Sequence, residues 1–382
     1  MSARRFKVGI VGLQPGRSWA ARAHIPALRA LSDTFEIAGV ANTSKASAEA
    51  AAAAMGLPRA YAGIAELVAD PAVDIVAVTV KVPHHLELTK AAIAAGKHVY
   101  CEWPLGNGLA EAEEMARLAR EKGVLGVVGT QARLAPEIAY LKKLVADGFV
   151  GEVLSTTLVG YGRGWGGAID SQKTGAYLLD RRNGATMLTI PLGHTLAALT
   201  DVLGDVATVS AVLATRRKTA KALDTGATLP MTAPDQVLVS GVLAGGLAGG
   251  GLAAGGLVGG APLSIHYRGG QPRDGNGLLW EINGTEGDLR VTGPSGHTQM
   301  VQLALEGARG EEKAFKKLAV PDAYRAGFSE DVIPGNVARV YARMAQDLRD
   351  GTHTVPSFAD AVAVHRIIDA IERAAESGTG LK

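Results

Sequence analysis

Apolar residues in the first third of the chain fall into short, nearly continuous runs separated by segments with apolar positions at helical spacing. The runs are Phe6–Val11, Phe35–Ala41, 74–80, 97–102 and 124–130, all but 97–102 rich in Val, Ile and Ala. Helical patterns over Lys45–Met55, 86–95 and 109–121 lie between them, and the first two stop at Gly56 and Gly96. Strands apolar on both faces that alternate with helices predict a parallel sheet covered on both sides. Beyond residue 132 the rhythm changes. A helix over 136–147 ends at Gly148, and a strand runs from 151 to about Tyr161. From 206 to 301 the pattern mostly alternates with period two, broken at Gly269-Gly270, Asn283-Gly284 and Glu286-Gly287-Asp288. That predicts a large, mostly antiparallel sheet. Helical patterns return over 336–347 and Phe358–Ser377.

The predicted architecture is therefore a Rossmann-type, doubly wound parallel sheet over 1–132, then an α+β domain with a large antiparallel sheet over 133–382. The last helix is free to pack back on the first domain. A length of 382 residues suits two domains, and 47% hydrophobic with 20% charged residues is the composition of a soluble globular protein. The net charge of +2, with no block of like charge, gives no support for direct nucleic-acid binding. One cysteine, Cys101, excludes an internal disulfide framework and a multi-cysteine zinc site, and no metal is expected. The arginines before Phe6 superficially resemble a signal peptide, but the apolar run that follows is short and stops at Gly12, as a first strand does. The uncharged stretch 241–262 is too rich in glycine to form a membrane-spanning helix, so a cytoplasmic protein with no membrane partner is expected. Within it, 247–260 reads as a low-complexity hairpin tip between strands 237–243 and 263–267.

The first strand leads into Gly12-Leu13-Gln14-Pro15-Gly16-Arg17-Ser18-Trp19 and then a helix. A glycine turn between strand and helix lets backbone N–H groups meet a pyrophosphate, so Gly12, Leu13, Gly16 and Trp19 are candidate cofactor residues. The turn has two glycines rather than the full G-x-G-x-x-G, and it is the surrounding strand–helix alternation that gives it weight. Where an acid usually meets the adenosine ribose of NAD stands Asn42-Thr43-Ser44-Lys45. Losing the carboxylate admits a 2′-phosphate, and Ser44 and Lys45 could donate to it, so the cofactor is NAD or NADP. Ser44 or Thr43 could equally cap the following helix.

Gly96-Lys-His-Val-Tyr-Cys-Glu102-Trp103-Pro104 resembles the Glu-Lys-Pro segment of the glucose-fructose oxidoreductase, inositol dehydrogenase and MocA (Gfo/Idh/MocA) superfamily. The segment beginning Leu141-Lys-Lys-Leu, the pair Gly193-His194 and the run beginning Pro356-Ser-Phe-Ala-Asp extend the likeness along nearly the whole chain. Trp19, the Lys81 to His85 segment, Glu102-Trp103, Gly193-His194-Thr195 and Ala233-Pro234-Asp235 are similar to the galactose-regulon repressor branch, whose members keep the fold and bind a dinucleotide but act as sensors. The resemblance implies Lys81, His85, Glu102 and Trp103 near the cofactor. It also implies an enzyme in which the lysine of Glu-Lys-Pro moves the hydroxyl proton, helped by an aspartate and a histidine. Here the lysine is Trp103, whose indole only donates hydrogen bonds, and Thr189, Ile190 and Ala197 stand where acids are expected. Only His194 remains, with Lys81, at the end of a strand, as a replacement. Trp103, Tyr161, Trp165, Tyr177 and His194 form a candidate surface for a carbohydrate-like ligand. Two functions stay open: a sugar or cyclitol dehydrogenase with an altered proton relay, or a silent NAD(P)-binding sensor with a protein partner. Either is expected as a homodimer or homotetramer.

Overall fold

The computed structural model describes residues 4–244 and 260–378. Apart from Gly260, the hairpin tip expected over 247–260 lies outside the described residues. Contacts group the residues up to Gln131 with Gly327–His365 as one compact unit, and Ala132–Ala326 with those from Arg366 onward as a second. The expected second domain, 133–382, thus yields 327–365 to the first. The reason is physical: helix α9 (Val332–Asp350) packs on helix α1 (Ile25–Ala30), burying Val337, Val340, Tyr341 and Met344.

The first unit holds six parallel strands: β1 (Phe6–Val11), β2 (Phe35–Ala41), β3 (Ala60–Tyr61), β4 (Ile75–Val78), β5 (His98–Glu102) and β6 (Gly126–Gly129). Their order, β3-β2-β1-β4-β5-β6, is that of a doubly wound sheet, with β1 pairing in parallel to both β2 and β4. Strand β4 is shorter than the predicted 74–80; just past its end the N–H and hydroxyl of Thr79 both reach the Val11 carbonyl, at 3.0 and 2.9 Å. Helices α2 (Lys45–Met55), α3 (Ile64–Ala69), α4 (His85–Ala94) and α5 (Leu109–Lys122) complete the alternation. Helix α2 starts where Ser44 accepts from the Ser47 N–H at 3.2 Å and stops at Gly56 in the left-handed region.

In the second unit, helices α6 (Pro136–Ala146), α7 (Gln172–Gly175) and α8 (Gly193–Leu203) accompany two sheets. The larger joins β7 (Val153–Gly162), β9 (Val206–Ala214), β12 (Gln236–Leu243), β13 (Pro262–Gly269), β14 (Leu278–Gly284), β15 (Gly287–Gly293), β16 (Ala304–Arg309) and β17 (Lys316–Lys317). Its order is β17-β16-β15-β14-β7-β13-β12-β9, antiparallel except between β7 and β13. The smaller sheet is β8 (Ala168–Ile169), β10 (Thr219–Ala222) and β11 (Thr228–Pro230). Alternation sends Leu158, Trp280 and Ile282 inward and leaves Val212 and Leu238 58% and 41% exposed, while Leu154, skipped at a register shift between β7 and β14, is 46% exposed. The run Arg181–Leu203 is apolar and long enough to cross a membrane, but it is mostly buried within the protein, as a core helix is.

Candidate functional site

Parallel strands point their carboxyl ends the same way, so Gly12, Asn42, Lys81, Glu102 and Gln131 all fall on one rim of the first sheet. Gly12 adopts φ +97°, and a Cβ there would lie 2.5 Å from Val80 Cγ1. Gly16, at φ +72°, faces open space, which leaves the turn's outer backbone approachable. Both features fit a dinucleotide pyrophosphate. Asn42 bolts this turn to β2: its Oδ1 accepts from the Leu13 N–H at 2.8 Å, while its Nδ2 donates to the carbonyls of Leu13 (2.9 Å) and Ser47 (3.1 Å). Ser44 caps α2, and the exposed Lys45 ammonium donates to the Ala60 carbonyl at 2.6 Å. Trp19 is half-buried, and its indole N–H has no partner among the described residues.

Lys81 is exposed where the chain leaves β4. His85, by contrast, is buried and ties two strand exits together, with Nδ1 2.8 Å from the Pro104 carbonyl and Nε2 3.0 Å from that of Val80. Burial holds its imidazole below the usual histidine range, against the pull of those carbonyls. It shapes the rim from behind. Residues alternate along β5. Cys101 turns inward and is pushed up by burial, which makes it an inert thiol. Glu102 is met by His24 Nε2 at 2.9 Å and by the Gln131 amide, which donates to both carboxylate oxygens at 2.9 Å. His24 Nδ1 lies 2.8 Å from the Tyr341 hydroxyl. Trp103, joined to Pro104 by a cis peptide, is 5% exposed and packs on His365 with ring centroids 4.8 Å apart. Burial pushes His365 down to about 4. Sequence reasoning passed over His24, Gln131, Tyr341 and His365. A histidine on the buried side of an alanine-rich helix was the one signal that could have found His24.

In the second unit His194 opens α8, buried and pushed down to about 3, first by burial and then by neighbouring His297. His297, also absent from the sequence expectations, lies parallel to Trp165 at 6.3 Å. Burial pushes it down to about 4. A hydrogen-bonded hub brings the two histidines together: Thr195 reaches the Tyr267 hydroxyl (2.8 Å) and Thr298 (3.4 Å), and Tyr267 donates to the Gly296 carbonyl at 3.1 Å. Thr189, in an expected acid's place, donates to the Gly184 carbonyl at 2.7 Å. Of the other three aromatic candidates, Trp165 meets the hub through His297, and Tyr161 faces away from it. Trp165 is 1% exposed, with its indole N–H donating to the Leu178 carbonyl at 3.0 Å, so it belongs to the core. Tyr161 lies on the open face of the large sheet, opposite the Tyr267 ring that packs against Gly160, and its hydroxyl accepts from Arg268 at 3.2 Å. Tyr177 is half-buried. Among the described residues no cluster of three or more His, Cys, Asp or Glu could hold a metal.

The oxidoreductase family with an NAD-binding Rossmann fold matches residues 6–130, and the Gal80p C-terminal domain matches 136–293. A dehydrogenase of Aspergillus oryzae, aclE, is 31% identical over 98% of this chain and 98% of its own. The chain belongs to the Gfo/Idh/MocA oxidoreductase family. Within that family it also resembles the galactose/lactose metabolism regulatory protein GAL80 of Saccharomyces cerevisiae, 25% identical over 100% of this chain and 95% of the relative. A levoglucosan dehydrogenase solved with NADH and L-sorbose shares the fold at a TM-score of 0.78, with 22% identity and coverage of 98% and 97%. The Rossmann unit is therefore an NAD-binding one, and Gly12, Gly16 and the polar strand ends are the elements of this chain that suit it.

Proposed function

We propose that the chain is an NAD(P)-dependent dehydrogenase of a sugar or cyclitol hydroxyl, with the proton leaving through His194 or Lys81 instead of a lysine after Glu102. His194 carries the reading. Burial holds its imidazole down to about 3, so it is neutral at neutral pH and a weak base, one that would take the hydroxyl proton only as the hydride leaves. The full-length likeness to a dehydrogenase supports the same class. Gly12, Leu13, Gly16 and Trp19 would hold the pyrophosphate. Ser44 and Lys45 stand at the adenosine ribose, and Lys81, Glu102 and Trp103 at the nicotinamide. Asn42 and His85 fix the loops that carry them. When bound, the nicotinamide supplies the hydride acceptor. Trp103 and Tyr177 would face the sugar, whereas Trp165 and Tyr161 have other duties. Without the lysine, turnover falls roughly a hundred- to ten-thousand-fold below that of a complete relay. Exposed Leu154, Val212 and Leu238 on the open sheet suit a homodimer or homotetramer.

A screen of sugars and cyclitols with NAD and NADP, followed by the absorbance of the reduced nicotinamide, tests this reading. Slow turnover is expected, lost on combining Lys81→Met with His194→Ala. Dinucleotide binding with no turnover on any substrate would sink it. The second reading, a silent dinucleotide-binding sensor with a protein partner, is favoured by Trp103 and by the likeness to a regulatory protein. That outcome, joined with a partner captured only in the presence of dinucleotide, would establish it.

A further inference from the structure

We propose that His24 is a positioning residue for the nicotinamide end of the dinucleotide, acting through Glu102. The inference rests on the reading above that Glu102 faces the cofactor. His24 is fully buried in the π-helical turn Ala20–His24, the element into which the glycine turn runs. Its partner is 78 positions away, at the carboxyl end of β5. One imidazole thus joins the helix that follows the phosphate turn to the strand end where the nicotinamide is expected.

The chemistry fixes the order of the bonds. A carboxylate only accepts, so His24 Nε2 carries a hydrogen and donates to Glu102 Oε1. The Tyr341 hydroxyl, which can give or take, completes the other side of the ring. Gln131 reaches both Glu102 oxygens, and Gly129 makes the room: a Cβ there would lie 2.7 Å from the carboxylate. His24, Gln131, Tyr100 and Tyr341 are all fully buried, and only Glu102, at 8%, reaches solvent. Such a network adds little stability over apolar packing of the same shape, but it holds one carboxylate in one place. The residue so held is the one on the rim.

Calorimetric titration of NAD and of ADP-ribose into wild type and into His24→Phe, His24→Gln, Tyr341→Phe and Glu102→Gln tests the proposal. ADP-ribose lacks the nicotinamide, so its Kd should stay within about twofold throughout. NAD should weaken roughly tenfold in Glu102→Gln and His24→Phe and about threefold in Tyr341→Phe, as expected when a hydrogen bond to a charged group is lost or loosened. His24→Gln, whose amide can still donate to Glu102, should recover most of the loss. If Glu102→Gln binds NAD as wild type does, the reading of Glu102 as cofactor-facing fails and takes the inference with it. If Glu102→Gln weakens NAD while His24→Phe does not, the inference alone is overturned. A loss shared equally by NAD and ADP-ribose would also overturn it, by making His24 a support of the whole turn. Tyr341→Phe removes a single oxygen and keeps the test alive should His24→Phe unfold.

Discussion

The rim of the parallel sheet and the open face of the large antiparallel sheet both carry polar and aromatic residues that a sequence would assign to a ligand, but they hold them in different ways. On the rim each side chain is fixed by a partner from another part of the first unit: Asn42 by Leu13, His85 by Pro104, Glu102 by His24 and Gln131. The bonds are buried or half-buried and short. On the open face Tyr161 has Arg268 beside it, half-exposed, on the neighbouring strand. The first arrangement is built before any ligand arrives, while the second is what cross-strand neighbours on a solvated sheet do anyway. Polar residues held from several directions mark a site better than aromatic residues that are merely near one in sequence.

The sharpest way to break this contrast is to fill two glycines. A Cβ at Gly129 would lie 2.7 Å from the Glu102 carboxylate, and one at Gly160 would lie 2.3 Å from the Tyr267 ring. Both alanine variants should lose about 1–3 kcal/mol in urea unfolding, Gly160→Ala the more because Tyr267 is fully buried. Only Gly129→Ala should also weaken NAD, by roughly tenfold, because only there does the methyl group move a carboxylate on the rim. Equal loss of NAD affinity in both would erase the distinction between rim and face.

Much of the rim was legible because its signals are local. A strand, a glycine turn and a helix lie consecutively from Phe6, and the alternation of apolar runs with helices gives the parallel sheet. What holds the rim was not legible. His24, Glu102, Gln131 and Tyr341 are contributed by four separate elements, and nothing at any one position announces the others. The last helix was expected to be able to pack back on the first domain, but the return of Val332–Asp350 to the first unit was hidden, since a helix's apolar stripe does not say which surface it covers. In the second unit, period-two alternation predicted the sheet. It could not say which face Tyr161 would take, because a shift of one residue reverses the choice.

A second effect separates the units by acid. Three buried histidines, His194 and His297 in the second unit and His365 in the first, are pushed down to about 3, about 4 and about 4 when folded, against an ordinary value near 6.5. The unfolded chain therefore binds protons that the folded chain refuses. Stability is complete above about pH 6.5 and falls as pH drops through the window down to the folded values. Near pH 5 each histidine should cost about 2 kcal/mol. Denaturant titrations at neutral and mildly acid pH read the effect, and His365→Phe should flatten the profile by one histidine's share. An unchanged profile would mean that His365 titrates alike in the folded and unfolded chain.

The smallest effect is expected at Tyr161, which lines an open polar hollow with Arg268, Asn276 and Arg290 on the solvated face of the large sheet. Its hydroxyl shares one hydrogen bond with a half-exposed arginine, 3.2 Å long, on the face opposite Gly160 and Tyr267. Removing that oxygen takes away a contact that water can replace, so Tyr161→Phe should change unfolding stability by no more than about 0.5 kcal/mol. It should leave NAD and ADP-ribose titrations untouched, and any turnover with sugars unaltered. A specific loss of turnover with binding intact would return Tyr161 to the substrate. Because β7 cannot present Tyr161 and Gly160 to the same side, that result would also bring the ligand to the open face of the sheet.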